Sequence, residues 1–170
     1  MLHRFKNSKA KEFCKNNLSF RKFPKILFMN RINDILSRKG RSIVTISPDI
    51  NTLDALKIMA EKNIGSVVVM QQDEYLGIIT ERDYSRKVIL KGKSSANTTV
   101  AEIMSVGLPH ITPQDSIEHC MALMTGNNIR YLPVFKDNKL AGIISMSDVV
   151  KQIILAQQDT INHLDNYIRQ

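Results

Sequence analysis

Short apolar runs and amphipathic segments alternate along most of this 170-residue chain. Apolar residues that recur every three or four positions predict helices, and short β-branched runs between turn residues predict strands. The pattern predicts a lead-in helix at 30–39 and ten further elements. These are strand 42–46, helix 52–63, strand 64–70, strand 75–80, helix 81–91, strand 108–112, helix 116–127, strand 131–135, strand 140–145 and helix 146–157. In helix 81–91 we expect Tyr84, Val88 and Ile89 to face inward.

The second half of the chain repeats the first. The repeated motif is a glycine followed by two isoleucines, a hydroxyl residue and, three positions after the hydroxyl residue, an Asp. It ends at Asp83 and again at Asp148, sixty-five residues later. The same offset aligns 46–90 with 111–155 without a gap. Halves of this length would be marginally stable alone, so we expect two β-α-β-β-α units that pack face to face and share one core. The predicted fold class is therefore α/β.

This duplication divides the chain into six segments. They are a basic extension outside the core (1–28), the lead-in helix (29–41), the first repeat (42–92), a polar linker (93–105), the second repeat (106–157) and a C-terminal helical extension (158–170). At the end of the last helix, apolar residues are spaced as an exposed stripe of Ile154, Ile161, Leu164 and Ile168. Such a stripe indicates a binding partner.

The net charge of +8 originates in the first segment. Residues 1–28 carry eight Lys and Arg against one acid, whereas the rest of the chain carries sixteen against fifteen. Three interpretations of this segment are open: a basic disordered arm, a mitochondrial-type targeting peptide, or sequence upstream of a true start at Met29. A basic arm also suggests an alternative function, nucleic-acid binding, which the nearly neutral body does not favour.

Composition and motifs narrow the function further. We do not expect the chain to be a membrane protein, because no apolar run is long enough to span a bilayer. We also expect no enzyme, metal site or catalytic cofactor, since the chain offers no nucleophile paired with a base, no metal-ligand spacing and no glycine-rich phosphate loop. Cys14 and Cys120 are too few for a disulfide framework, and Cys120, matched by Ala55, suits a small core position. A reducing, cytoplasmic location fits, with a mitochondrial one as the alternative if 1–28 is a targeting peptide.

The two strand-to-helix junctions are the candidate site, since duplication would place them across a cleft from each other. A glycine-opened hairpin lets the backbone approach a flat ring, and a helix N-terminus offers free N–H groups. Asp83 and Asp148 could each accept both hydroxyls of a ribose, with the hydroxyls of Thr80 and Ser145 adding a contact. The same residues also match a helix N-cap, which is the stronger interpretation of the motif alone.

With the order β-α-β-β-α and this motif in place, residues 43–156 resemble a pair of CBS (cystathionine β-synthase) domains, the Bateman module. Segments 80–90 and 157–168 resemble the small stand-alone two-CBS proteins of bacteria and mitochondria in particular. The resemblance implies a non-catalytic regulatory module that binds adenosine-containing ligands such as AMP, ATP or NAD(H). It also implies a homodimer that modulates an unknown partner protein.

The resemblance also assigns roles to individual residues. Thr80 with Asp83, and Ser145 with Asp148, would hold riboses, while Arg82 and Arg130 are candidate phosphate ligands. The adenine and phosphate would be lined by two strand edges and two strand starts: Thr45, Ile46, Ile111 and Thr112, and Gly65, Ser66, Val67, Arg130, Tyr131 and Leu132. Gly65 stands where Arg130 stands in the other repeat. We therefore expect the Asp148 site to bind more tightly, with Arg130 as its arginine.

Overall fold

The computed structural model describes residues 31–40 and 43–169. Over these residues the helices are α1 (Ile32–Lys39), α2 (Thr52–Lys62), α3 (Glu81–Lys87), α4 (Val100–Ile103), α5 (Ile117–Gly126) and α6 (Met146–Ile168). The strands are β1 (Thr45–Ile46), β2 (Ser66–Gln71), β3 (Glu74–Thr80), β4 (Tyr131–Lys136) and β5 (Lys139–Ser145). The α/β class is confirmed. The basic segment 1–28, with its three interpretations, lies outside the described residues.

The two repeats build unequal sheets. In the first, β1 runs parallel to β2, which forms an antiparallel hairpin with β3. In the second, β4 and β5 form the hairpin, but the predicted strand 108–112 shrinks to a single bridge between Ile111 and Val134. The reason is a proline, because Val68 donates its N–H to the carbonyl oxygen of Val44 at 3.3 Å and its counterpart Pro133 has no N–H to donate.

Each repeat is completed by a helix that precedes the other repeat. The N–H groups of Ile32 and Asn33 in α1 donate to carbonyls at 115 and 113 of the second repeat, at 3.1 and 2.9 Å. The N–H groups of Val100 and Ala101 in α4 donate to the matching carbonyls at 50 and 48 of the first repeat, both at 2.9 Å. α1 and α4 are therefore exchanged reciprocally between the two halves.

This exchange gives the fold two cores where a single shared core was expected. One cluster joins Ile32 and Ile35 of α1 to the second repeat, and the other joins Val100 and Ile103 of α4 to the first. A hairpin and its helices leave one apolar face uncovered, and the exchanged helix covers it, so each half acquires its own core. Cys120 is 0% exposed in the core of the second repeat, as its pattern predicted.

The segment predicted as a polar linker is bonded to the first repeat. Thr52, at the start of α2, is 0% exposed; its N–H donates to the carbonyl of Thr98 at 2.9 Å and its hydroxyl to that of Ser95 at 3.0 Å. Ser95 also shares a hydrogen bond of 2.9 Å with the Tyr84 hydroxyl. These bonds satisfy the free N–H groups at the α2 N-terminus and hold α4 in place.

One helix prediction differs from the structure at its end. The predicted helix 81–91 stops at Lys87 and tightens into a 3₁₀ turn, Ile89–Lys91, that Gly92 ends in a left-handed conformation. The tighter turn rotates Ile89 outward, so it is 54% exposed and its inward prediction was wrong, whereas Val88 is buried as predicted. Near the C-terminus, α6 continues to Ile168 through the predicted helical extension and leaves Ile161, Leu164 and Ile168 exposed, as their spacing predicted. None of the helices described is both long and apolar enough to cross a membrane.

Candidate functional site

The repeated motif forms a helix cap in both repeats. The Thr80 hydroxyl accepts the N–H of Asp83 at 3.0 Å, and the Asp83 carboxylate accepts the N–H of Thr80 at 3.1 Å. Ser145 and Asp148 form the same pair of bonds at the start of α6, at 3.2 and 2.9 Å. The capping interpretation is thus confirmed, and each cap also holds an Asp carboxylate rigidly at the mouth of a cleft.

The first of these, the Asp83 cleft, has a volume of about 300 Å³ and is lined by both repeats. The first repeat and the segment just after α4 contribute Gly65, Ile78, Thr80, Glu81, Arg82, Asp83, Arg86, Lys87 and Ser105. Its second-repeat residues are Leu108, Asn128, Ile129, Arg130 and Tyr131. Arg82 crosses between them, since its Nη1 donates to the carbonyl of Asn128 at 3.1 Å.

The second, the Asp148 cleft, has a volume of about 310 Å³ and the mirrored composition. Its lining consists of Lys39, Ile43, Val44, Asn63, Ile64, Gly65, Ser66, Val68, Tyr131, Ile143, Ser145, Ser147 and Asp148. Each cleft therefore combines the capped Asp of one repeat with the strand start of the other. Gly65 and Tyr131 line both clefts and meet between them, where a Cβ on Gly65 would lie 2.7 Å from the Tyr131 hydroxyl.

This crossed arrangement corrects the pairing expected for Arg130. Arg130 follows α5 in the second repeat, but it lines the cleft of Asp83 and not that of Asp148. The physical reason is that the two second strands start back to back at the middle of the molecule. The residue before each strand stays bonded to the helix of its own repeat, since the Gly65 carbonyl accepts the Glu81 N–H at 3.3 Å and the Arg130 carbonyl accepts the Met146 N–H at 2.9 Å. Each of the two residues also lines the cleft of the opposite repeat's Asp.

The two clefts differ more in the charge of their lining residues than in their volume. The Asp83 cleft is lined by Arg82, Arg86, Lys87 and Arg130 against the acids Glu81 and Asp83. In the Asp148 cleft the charged lining residues are Lys39 and Asp148, which form an ion pair of 2.8 Å. Since guanidinium groups suit bidentate binding of phosphate oxygens, the Asp83 cleft is the one adapted to an anion.

Comparison with known proteins agrees with this architecture. The family model described as "CBS domain" matches residues 32–89 and 100–155, one match for each repeat and its preceding helix. The chain belongs to the CBS domain family. Its two CBS repeats are those described above, and the expected small tandem arrangement is confirmed.

Three relatives show how far the likeness extends. The chain is 37% identical over 147 residues to the Arabidopsis thaliana "CBS domain-containing protein CBSX3, mitochondrial", which covers 81% of this chain and 71% of that protein. It is 44% identical to a solved Burkholderia ambifaria protein described as a signal-transduction protein with CBS domains, with a TM-score of 0.69 and coverage of 73% and 91%. It is 32% identical to a hexameric CBS-CP12 protein from bloom-forming cyanobacteria, with a TM-score of 0.62 and coverage of 71% and 69%.

Several residues predicted for the site lie away from both clefts of the CBS pair. Ile46, Val67, Ile111 and Leu132 are buried core residues, between 0% and 7% exposed. Thr45 and Thr112 are exposed and line neither cleft, and Thr112 instead donates its N–H to Asp115 at 2.6 Å. Side chains alternate along a strand, so a displacement of one position changes the face, and a displacement of two moves the side chain along the same face. The strand edges that line the clefts are Ile43 with Val44, and Leu108.

The motif glycines also have a different role from the one expected. A Cβ on Gly77 would lie 2.5 Å from the backbone oxygen of Ser105, and one on Gly142 would lie 2.5 Å from Leu36 Cδ2. Gly77 and Gly142 thus make room for the exchanged helices to cross the hairpins, and line neither cleft.

Sequence reasoning overlooked the cations nearest to the two carboxylates. Arg86 and Lys87 follow Asp83 by three and four positions on α3, a spacing that predicts the same helix face. Lys87 Nζ lies 2.8 Å from Asp83 Oδ1. Lys39 lies before the region that the sixty-five-residue offset aligns, so the repeat carried no signal for it.

The surroundings of Asp148 shift its pKa. Burial acts to raise the pKa of Asp148, but hydrogen bonds from Lys39 and from the Ser145 hydroxyl and N–H outweigh it and lower the pKa. Asp148 is therefore held as a carboxylate that already has donors, the Lys39 ammonium among them.

Proposed function

We propose that the chain is a non-catalytic regulatory module that binds an adenosine-containing nucleotide, such as AMP, ATP or NAD(H), in the Asp83 cleft. The observation that carries this proposal is the meeting of Asp83 with four cations drawn from both repeats, Arg82, Arg86, Lys87 and Arg130. The family is typically regulatory, and the Burkholderia ambifaria relative is described as a signal-transduction protein.

The lining of the cleft suits the three parts of such a ligand. Ile78, Leu108 and Ile129 give apolar walls for the base. Asp83, held by the Thr80 cap, is the acceptor for ribose hydroxyls. Arg82, Arg86 and Arg130 provide donors for phosphate, with Arg82 already bridging to the opposite repeat.

Regulation follows from the crossed lining. A ligand shifts a conformational equilibrium only when it binds one state better than the other. A nucleotide in this cleft would contact α3 of one repeat and the start of β4 in the other, so its affinity depends on how the repeats are packed. The change would reach a partner protein through α6, which begins beside the clefts at Met146 and ends in the exposed apolar stripe.

We also propose that the chain forms a homodimer through this stripe, for which the assembly of the cyanobacterial relative gives general support. The location we propose is the cytoplasm, with the mitochondrion as the alternative that the name of the Arabidopsis thaliana relative favours. Fusing residues 1–28 to a fluorescent protein decides between them. The nucleic-acid alternative depends on those same residues, and the comparisons give it no support.

The proposal is tested by calorimetric titration with AMP, ADP, ATP, NAD⁺, NADH and S-adenosylmethionine. At least one should bind the wild-type chain, and its affinity should fall in Asp83→Asn, which removes the charge but keeps a side chain able to cap α3. The matched control is Asp148→Asn, the same change at the other capped junction. Absence of binding by every compound, or equal losses in the two variants, would refute the assignment to the Asp83 cleft.

A further inference from the structure

The two capped carboxylates differ in how many of their acceptor sites are already used. On Asp83, Oδ2 accepts the N–H and the hydroxyl of Thr80 at 3.1 and 2.5 Å. Its Oδ1 accepts the Ser105 hydroxyl at 3.0 Å and lies 2.8 Å from the Lys87 ammonium. A carboxylate has roughly four acceptor sites, two on each oxygen, so those of Asp83 are all taken.

Asp148 keeps one of its oxygens open. The bonds that it accepts from described residues are all made to Oδ2, from the Ser145 N–H at 2.9 Å, the Ser145 hydroxyl at 2.6 Å and Lys39 Nζ at 2.8 Å. These donors lower the pKa of Asp148, so it is a charged carboxylate at neutral pH. Oδ1 can therefore accept both hydroxyls of a vicinal diol without displacing any donor.

The rest of the Asp148 cleft suits a nucleoside. Its volume of about 310 Å³ is within the range of small-molecule sites. Neutral polar side chains line it at Asn63, Ser66 and Ser147. Its apolar walls, which suit a flat base, are Ile43, Val44, Ile64, Val68 and Ile143.

The same cleft offers little to a phosphate. Among the lining residues that the structure describes, Lys39 is the one cation, and it is paired with the Asp148 carboxylate at 2.8 Å. Lys39 also donates to the carbonyl of Ile143 at 3.2 Å, so most of its N–H groups are used. A phosphate on the nucleoside would meet no unpaired cation here, and it would share the cleft with the negative charge of Asp148.

The Asp83 cleft has the opposite preference. Its three arginines, Arg82, Arg86 and Arg130, suit phosphate oxygens. Lys87 must leave Asp83 before a ribose can bond Oδ1, and the phosphate of a nucleotide gives the Lys87 ammonium another partner. Adenosine carries no such group, so it would leave Asp83 paired with Lys87.

We propose that the Asp148 cleft is a second site in each chain, that it binds an unphosphorylated nucleoside, and that Asp148 Oδ1 accepts both ribose hydroxyls. The inference goes beyond the proposed function, because this site lies in the other cleft and its ligand lacks the phosphate. The chain would then respond to a nucleoside and to a nucleotide through separate clefts.

The test is calorimetric titration of the full-length chain with adenosine and with 2′,3′-dideoxyadenosine, which lacks both hydroxyls. We expect the wild type to bind one adenosine, and to bind the dideoxy compound about tenfold or more weakly, because hydrogen bonds to a charged group are lost. Asp148→Asn should weaken adenosine binding and shrink the difference between the two compounds. The matched control is Asp54→Asn, the same change in the first turn of α2, where Asp54 pairs with Lys57 at 2.8 Å outside both clefts. It should leave both affinities unchanged.

A competition experiment separates the two clefts. Adenosine should still bind once, with unchanged affinity, to a chain that is saturated with AMP. Asp83→Asn should weaken the binding of AMP and not that of adenosine.

The inference is overturned if adenosine does not bind, if AMP displaces it, or if Asp148→Asn binds it as tightly as the wild type does. Equal affinities of the wild type for adenosine and the dideoxy compound would also overturn it, and that comparison does not depend on the folding of a variant. A chain that binds adenosine but no nucleotide would refute the proposed function and leave the Asp148 site in place. Binding of a nucleotide without adenosine would do the reverse.

Discussion

Arg130 lies in the cleft of Asp83, although it belongs to the same repeat as Asp148. Arg130 and Asp83 line the same cleft between the repeats because the strands β2 and β4 start back to back. Arg82 bridges the two repeats at this cleft by donating to the carbonyl of Asn128. The tighter nucleotide site is therefore expected at Asp83, the reverse of the order that comparing Gly65 with Arg130 within each repeat suggested.

The first prediction concerns this arginine. We expect Arg130→Ala to weaken AMP binding by about tenfold or more, because hydrogen bonds to charged groups contribute about 1.5 to 3 kcal/mol. Calorimetric dissociation constants measure the effect. Arg169→Ala, at the end of α6 and outside both clefts, is the control for loss of a surface charge and should leave the affinity unchanged. An unaltered affinity in Arg130→Ala would remove Arg130 from the site.

The second prediction compares the two motif glycines. Gly77→Ala should destabilise the fold by about 1 to 3 kcal/mol, the usual cost of overpacking, because the backbone of Ser105 cannot retreat without breaking its bonds to Ile78. Gly142→Ala should destabilise less, since it meets the end of the flexible Leu36 side chain. Urea unfolding measures both free energies.

Gly126 supplies the control for this comparison. No heavy atom would lie within 4 Å of a Cβ at Gly126, in the last turn of α5, so Gly126→Ala should be neutral or slightly stabilising. In a double-mutant cycle, Leu36→Ala should relieve the clash of Gly142→Ala and give a favourable coupling. Equal destabilisation at Gly77 and Gly142, or no coupling to Leu36, would contradict the crossing geometry.

Much of the fold could be predicted because its signals are local. The apolar period located every described helix except α4, which lies in the segment predicted as a linker. The β-branched runs located the hairpins, and the repeated Thr80 and Ser145 caps marked where α3 and α6 begin. One local signal was overlooked, since Pro133 at the position of Val68 already indicates that the second repeat lacks a parallel strand pair.

The clefts could not be predicted in the same way, because they are formed between repeats. A period shows which face of its own element a residue occupies, but not which half of the molecule that face meets, as Arg130 illustrates. The exchange of α1 and α4 was also missed, since Ile32 and Ile35 match Val100 and Ile103 at an offset of sixty-eight, not sixty-five. A search with that second offset would have revealed the longer α1 and Lys39.

The third prediction concerns pH. The pKa of Asp148 is lower in the folded chain than its ordinary value of 3.8, so the unfolded chain takes up this proton more readily. The stabilisation from Asp148 is therefore complete above pH 3.8 and is lost as the pH falls below that value toward the folded pKa. Asp148→Asn should unfold more easily at neutral pH and lose less stability on acidification.

Urea unfolding at a series of pH values tests this. Lys39→Met should share part of the flattened pH dependence, because it removes one of the donors that lower the pKa of Asp148. Asp137→Asn, in the exposed turn between β4 and β5, is the control for removing a carboxyl at a site where either residue suits the positive φ of 50°. If the wild type and Asp148→Asn lost stability in parallel, the Lys39 ion pair would not be formed in solution.

The last prediction concerns the proposed homodimer. Ile161, Leu164 and Ile168 are 51%, 57% and 79% exposed, and they continue from Ile154 at the seven-residue spacing of a two-helix seam. Burying such side chains completely contributes about 1.5 to 3 kcal/mol each. Replacing the three by Gln, which keeps the helical preference of α6, should raise the monomer fraction in sedimentation equilibrium. The control changes Asn162 and Asn166, polar residues of the same segment, to Gln and should leave the dimer intact. A dimer that survives the triple change would place the contact elsewhere, with the exposed Ile89 and Leu90 after α3 as the next surface to test, and a monomeric wild-type chain would refute the dimer itself.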